Sequence, residues 1–179
     1  MFINPKTAIQ EGWIKGDITT ANIQPNAIDF TVDRMFQLNV ASDFILCEQY
    51  KDMRNSFEIF PSAEVITSTE PPQSNMFWNL QMGVYDALSN FYVEVPEGVA
   101  AYLIVRSTLN RNGLFVTSGL YDSGFIGHIG FAIHNNGGPA YIAPGTRVGQ
   151  IIFVESQNVG TYAGGYNHIQ GTTAHQTEV

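Results

Sequence analysis

Cysteine, basic residues and long apolar runs are all scarce in this chain, and each scarcity removes a class of function. The one cysteine, Cys47, cannot close an internal disulfide, so nothing asks for an oxidising compartment, and a structural role suits it better than that of a catalytic thiol. Eight Lys and Arg stand against 16 Asp and Glu, a net charge of -8 that disfavours attachment to a nucleic-acid backbone or an anionic membrane. A free nucleotide can still be held by a local basic cluster. No segment approaches the roughly 20 apolar residues that cross a bilayer, and residues 1–6 lack the basic-then-apolar order of an export signal. The expectation is a soluble intracellular, cytoplasmic protein with neither a nucleic-acid polymer nor a membrane as partner. Metal ligands are scarce as well. His128 and His134 would share one strand face about 20 Å apart at roughly 3.3 Å per residue, and no Cys pair accompanies the four histidines, so zinc chemistry of the cytidine-deaminase kind has no ligands.

What is present points to strands. The 179 residues are 44% hydrophobic and 12% aromatic, enough for one buried core and too few to expect two, so a single domain is read over residues 1–179. Seventeen glycines and eight prolines punctuate many short apolar runs. The clearest strands are residues 91–95, 100–105, 128–134 and 149–155. Alternation in the third turns Ile129, Phe131 and Ile133 to one face and His128, Gly130, Ala132 and His134 to the other. A short helix is expected over residues 7–11 with Thr7 as its cap. Residues 42–75 fit least well and read as an excursion from the sheet. Residues 160–179, rich in Gly, Thr and His, read as a mobile tail.

Four segments carry candidate chemistry. Arg106-Ser107-Thr108-Leu109-Asn110-Arg111 sets two guanidinium groups and two hydroxyls just after an apolar strand. It is either a triphosphate seat or a solvated loop in which an arginine ties down carbonyls. Gly119-Leu120-Tyr121-Asp122-Ser123-Gly124-Phe125-Ile126-Gly127 reads as a hairpin with turn chemistry at Asp122 to Gly124. Pro144-Gly145-Thr146-Arg147-Val148-Gly149-Gln150 enters a buried strand. Ile23-Gln24-Pro25-Asn26-Ala27-Ile28-Asp29-Phe30 places one carboxylate, Asp29, in an apolar setting.

In this order and spacing the four segments resemble the dUTPase and dCTP deaminase superfamily, most strongly from Arg106 onward. The resemblance implies a mostly β, dUTPase-like distorted barrel, jelly-roll-like, assembled as a homotrimer with sites between subunits. It assigns phosphate contacts to Ser107 and Arg111, with Thr108 in the same motif and Arg106 bracing the loop. Gln150 would donate to phosphate oxygens. Asp122 would orient the attacking water near the sugar 3'-hydroxyl, and Phe125 would pack under the deoxyribose. Uracil would be read by backbone groups of the hairpin around Gly119 and Leu120. His168 and Gln170 would belong to a closing tail, where the likeness is poorest. Mg²⁺ would be carried by the phosphates and water, in the region of Asp29, which otherwise only supports its neighbouring loop.

The resemblance also marks a departure. Ala132 stands where the deaminase branch has its proton-shuttling glutamate, ten residues after Asp122. A methyl group transfers no proton, and such assistance contributes about a hundred- to ten-thousandfold. The expectation is therefore a Mg²⁺-dependent dUTP diphosphatase making dUMP and pyrophosphate. The alternatives are a dCTP deaminase with another shuttle (His134 or a carboxylate of the insert), a diphosphatase for a modified pyrimidine deoxynucleotide, and a non-catalytic relative that binds nucleotides or a protein partner through the insert.

Overall fold

The computed structural model describes residues 1–63 and 75–167. Its first element, helix α1 (Pro5–Gln10), begins one turn earlier than the Thr7 cap predicts. The Asn4 side chain accepts a hydrogen bond from the Lys6 N–H at 2.9 Å and Pro5 occupies the first turn. An Asn-Pro pair supplies both a cap and a preset φ, which is why Thr7 falls inside the helix.

Strands then dominate: β1 (Ile14–Lys15), β2 (Ile28–Leu38), β3 (Ile45–Cys47), β4 (Tyr50–Asp52), β5 (Ser56–Ile59), β6 (Ser62–Ala63), β7 (Met76–Leu80), β8 (Gly83–Glu94) and β9 (Val99–Val105). After helix α2 (Ser107–Arg111) come β10 (Leu114–Thr117), β11 (Ile126–Asn135), β12 (Ala140–Ile142) and β13 (Arg147–Glu155). The main sheet runs β10-β11-β8-β2-β13-β9, with β1 and β5 at its margins. A bridge between Ala101 of β9 and Tyr121, in the connection leaving β10, brings the two ends of the sheet together. The result is a nearly closed, barrel-like sheet. Beside it lie a three-stranded sheet, β12-β7-β6, and the isolated β3-β4 hairpin.

The core follows from strand alternation. Ile129, Phe131 and Ile133 of β11 are all buried, as their period predicts, and meet Phe30, Phe91, Val93 and Ile151 from neighbouring strands. The Phe30 and Phe131 rings lie 4.9 Å apart at a tilt, a favoured aromatic geometry. Residues 42–75 divide. The β3-β4 hairpin is exposed and lies outside the main sheet, and the Cys47 thiol is exposed there, directed at the Tyr50 carbonyl. By contrast β5 pairs with β2 from Met35↔Ile59 to Leu38↔Ser56. That part of the excursion belongs to the sheet, held by Arg34, which grips Glu58 through two hydrogen bonds at 2.7 and 2.6 Å.

Asp29 ties three segments into one knot. Its carboxylate is fully buried and accepts from Gln150 Nε2 at 2.7 Å and from Gln24 Nε2 at 3.2 Å. Arg147 Nη1 approaches at 3.2 Å and Arg106 Nε at 3.5 Å. Buried Asn22 completes it by donating to the Asp29 carbonyl at 2.9 Å. The knot locks β2 and β13 to the residue that precedes α2.

Two outcomes test this packing. A Cβ on Gly149 would lie 2.3 Å from Phe30 Cζ, so Gly149→Ala overpacks the core; a loss of about 1–3 kcal/mol is expected from the urea midpoint at unchanged slope. Asp29→Ala leaves two arginines facing a buried void, and because both reach solvent the loss should be about 2–4 kcal/mol; an unchanged melting curve would show that the knot does not hold the fold.

Candidate active site

The strand register builds a cavity floor. Ala132 of β11 stands opposite Asp86 of β8 on one side and Thr117 of β10 on the other. Three side chains therefore form one row across three strands, directed to the face opposite the core. Gly130 and Leu88, the next pair along, continue this floor. Leu120, Phe125 and Tyr162 supply walls, and His128 and Tyr166 line the cavity too. Its volume is about 440 Å³, in the range of small-molecule sites.

Aromatic packing gives the cavity its stiffness. Phe125 is buried between Tyr121, at 5.0 Å between ring centres, and Tyr162, at 5.6 Å. The Tyr121 hydroxyl donates to the Gly130 carbonyl at 2.5 Å, and burial pushes this phenol well above its ordinary pKa, so it stays a donor. Gly124, at φ +88°, occupies the third position of a turn closed by Phe125 N–H donating to the Asp122 carbonyl at 3.0 Å. That conformation favours glycine and sets the angle at which Phe125 enters. The segment predicted as a hairpin, residues 119–127, is thus the long connection of a wider hairpin formed by β10 and β11.

The tail contributes more than its composition suggests. Tyr162 N–H donates to the Ser123 carbonyl at 2.7 Å, and the Asn167 side chain accepts from Ile126 N–H at 2.9 Å. Residues 161–167 consequently cross the β10-β11 connection. Lys51 of the β3-β4 hairpin reaches over the Tyr166 ring at 5.7 Å, so the excursion touches the cavity rim. His168 and Gln170 lie outside the described residues.

The residues picked from the sequence fall into separate groups. Gly119, Leu120 and Phe125 line the main cavity. Asp122 is exposed and lines a second concavity of about 420 Å³, bounded by residues 156–162, with Tyr162 shared between the two. Ser107, Thr108 and Arg111 are exposed on α2. Neither concavity is lined by them, nor by Arg106 or Gln150. Helix α2 joins the Leu114 end of β10, whereas Thr117 at the other end lines the cavity, roughly 10 Å away at ~3.4 Å per residue. Arg106 donates to the Arg147 carbonyl at 3.3 Å and pairs with Asp29. Gln150 spends one N–H on Asp29 and keeps its second amide hydrogen. Asp29 is buried, and both of its oxygens accept hydrogen bonds. Among the described residues no group of three or more His, Cys, Asp or Glu could hold a metal.

Asp86 is absent from the sequence-derived set. Its signal was a carboxylate amid Val84, Tyr85, Ala87 and Leu88, a charge inside a strand that aspartate ordinarily avoids. Only the pairing of β8 with β11 brings it opposite Ala132.

Comparison with known proteins agrees with this architecture. A family model described as dCTP deaminase-like matches residues 5–156. The "Probable deoxyuridine 5'-triphosphate nucleotidohydrolase" of Methanopyrus kandleri is 28% identical over 159 residues, covering 84% of this chain and 90% of its own. A "dCTP deaminase, dUMP-forming" of Bifidobacterium animalis subsp. lactis is 32% identical over 158 residues, covering 84% of this chain and 75% of its own. The crystal structure of 2'-deoxycytidine 5'-triphosphate deaminase from Agrobacterium tumefaciens superposes with a TM-score of 0.62 at 14% identity, over 87% of this chain. This chain spans 48% of that longer one, and the likeness is one of fold. The mostly β, barrel-like architecture expected from the motifs is the one observed, and the chain belongs to the dCTP deaminase-like family.

Proposed function

We propose that this chain is a dUTP diphosphatase, an intracellular enzyme that hydrolyses dUTP to dUMP and pyrophosphate. The observation that carries the reading is the methyl group of Ala132 on the cavity floor, at the position where the deaminase branch has its glutamate. The other named shuttle, His134, has Nε2 3.0 Å from Thr117 Oγ1 and does not line the cavity. Of the insert carboxylates, Glu58 is committed to Arg34, which holds it below the usual carboxylate range.

In this reading the aromatic-walled cavity takes the base, with Phe125 under the deoxyribose and backbone groups of Gly119 and Leu120 at the ring. Asp122, exposed at the turn beside that wall, accepts a proton from water and directs its oxygen at the α-phosphorus. Ser107, Thr108 and Arg111 neutralise charge on the departing pyrophosphate, helped by the remaining amide hydrogen of Gln150. Mg²⁺ suits a site with one exposed carboxylate and no cage, because it keeps several waters and rides on substrate phosphates. When bound it would offset charge on the triphosphate. His168 and Gln170 would close over the phosphates.

The separation of α2 from the cavity within one copy supports a homotrimer in which the phosphate-binding helix of one subunit completes the cavity of the next. Sedimentation of the purified chain should give three times the 19.8 kDa mass; a monomer that still turns over would remove the shared site. With Mg²⁺ and dUTP, Asp122→Asn should lower pyrophosphate release by roughly a hundredfold or more. Equal turnover in both proteins would take Asp122 out of the mechanism.

A further inference from the structure

We propose that Asp86 is a specificity-determining residue of the base cavity, and that it admits a pyrimidine with an exocyclic amine, dCTP, as a second substrate for hydrolysis without deamination. The inference rests on the pyrophosphohydrolase reading and changes only which base the cavity accepts. Asp86 is directly opposite Ala132, so the two Cβ atoms lie about 4.5–5.5 Å apart on the same face. The small methyl leaves the space above it open to the neighbouring carboxylate. Asp86 and Thr117 then mark the two ends of a row roughly 10 Å across, two interstrand spacings of ~4.8 Å, which spans a pyrimidine with its substituents.

The chemistry at the two ends differs. Thr117 carries a hydroxyl whose Oγ1 is engaged with His134 at 3.0 Å. Asp86 carries a carboxylate, whose two oxygens accept hydrogen bonds at about four lone-pair sites, and it lines the cavity. Leu88, Ala132 and Phe125 line the same cavity and supply apolar surface in place of water, which strengthens any charge-assisted bond made there. A base edge that presents an amine donates to this carboxylate. A base edge that presents a carbonyl sets acceptor against acceptor, so Asp86 slows the site on dUTP relative to an otherwise identical cavity. Attack on the α-phosphorus is indifferent to this choice: water adds its oxygen to phosphorus, pyrophosphate leaves, and the amine stays on the ring.

The test measures pyrophosphate, monophosphate and ammonia from dCTP and from dUTP with Mg²⁺, for wild type, Asp86→Leu and Asp86→Asn, each checked for an unchanged melting midpoint. Wild type should convert dCTP to dCMP and pyrophosphate with no ammonia. Asp86→Leu should lower kcat/KM for dCTP relative to dUTP by roughly ten- to a hundredfold, the scale of one hydrogen bond to a charged group. Asp86→Asn should move the ratio the same way, because its amide can donate to a carbonyl. A ratio unchanged in both variants, or a wild type that hydrolyses dUTP and leaves dCTP intact, overturns the assignment. Ammonia released from dCTP and abolished in Asp86→Leu also overturns it, making the carboxylate a proton carrier instead. If no nucleotide is hydrolysed, the diphosphatase reading fails by itself; dissociation constants of non-hydrolysable dCTP and dUTP analogues then decide the base preference by the same ratio.

Discussion

The register between β8, β11 and β10 is the constraint on which the rest of the site depends. Side chains on a strand alternate strictly, so a slip of one residue would send Phe131 to the cavity face and Ala132 into the core. Burial of Ile129, Phe131 and Ile133 excludes that slip, since three large apolar side chains would lose their shelter together. The same packing that stabilises the core therefore fixes the row Asp86, Ala132 and Thr117 beneath the cavity. Core and site are opposite faces of one set of strands.

A second constraint acts at a distance from that floor. The Asp29 carboxylate, without solvent exposure, gathers Arg147, Arg106 and Gln150 around itself and so couples β2 and β13 to the start of α2. A buried anion is costly unless it is paired and hydrogen-bonded on both oxygens, and here it is. Its value to the molecule lies in position: the exposed hydroxyls and guanidinium of α2 are presented from a fixed base. In the proposed diphosphatase, rigid placement of these donors before the substrate arrives would make them effective against developing charge.

Much of this was legible from local chemistry. Alternation in residues 128–134 announced the buried face of β11, and the Arg106 to Arg111 and Asp122 to Phe125 motifs marked their own segments. Asn4-Pro5 was a stronger helix signal than Thr7, and its order, cap before proline, explains the displaced start. Composition registers few apolar residues after position 160 and is blind to what Tyr162 meets, a buried Phe125 ring and the Ser123 carbonyl. The pairing of residues 56–59 is hidden from composition for a similar reason: their partner is β2, some twenty residues earlier.

The sequence by itself determined the strand-rich class, the family, the face that β11 buries and the methyl at position 132, because each is set by residue type, order and the two-residue period of a strand. The tertiary structure alone decided that Asp86 stands opposite Ala132, that Asp29 is bound by two arginines from distant segments, and that α2 lies apart from the cavity within one chain. Those are matters of pairing between residues far apart along the backbone, and no local preference encodes which strands meet or in what register.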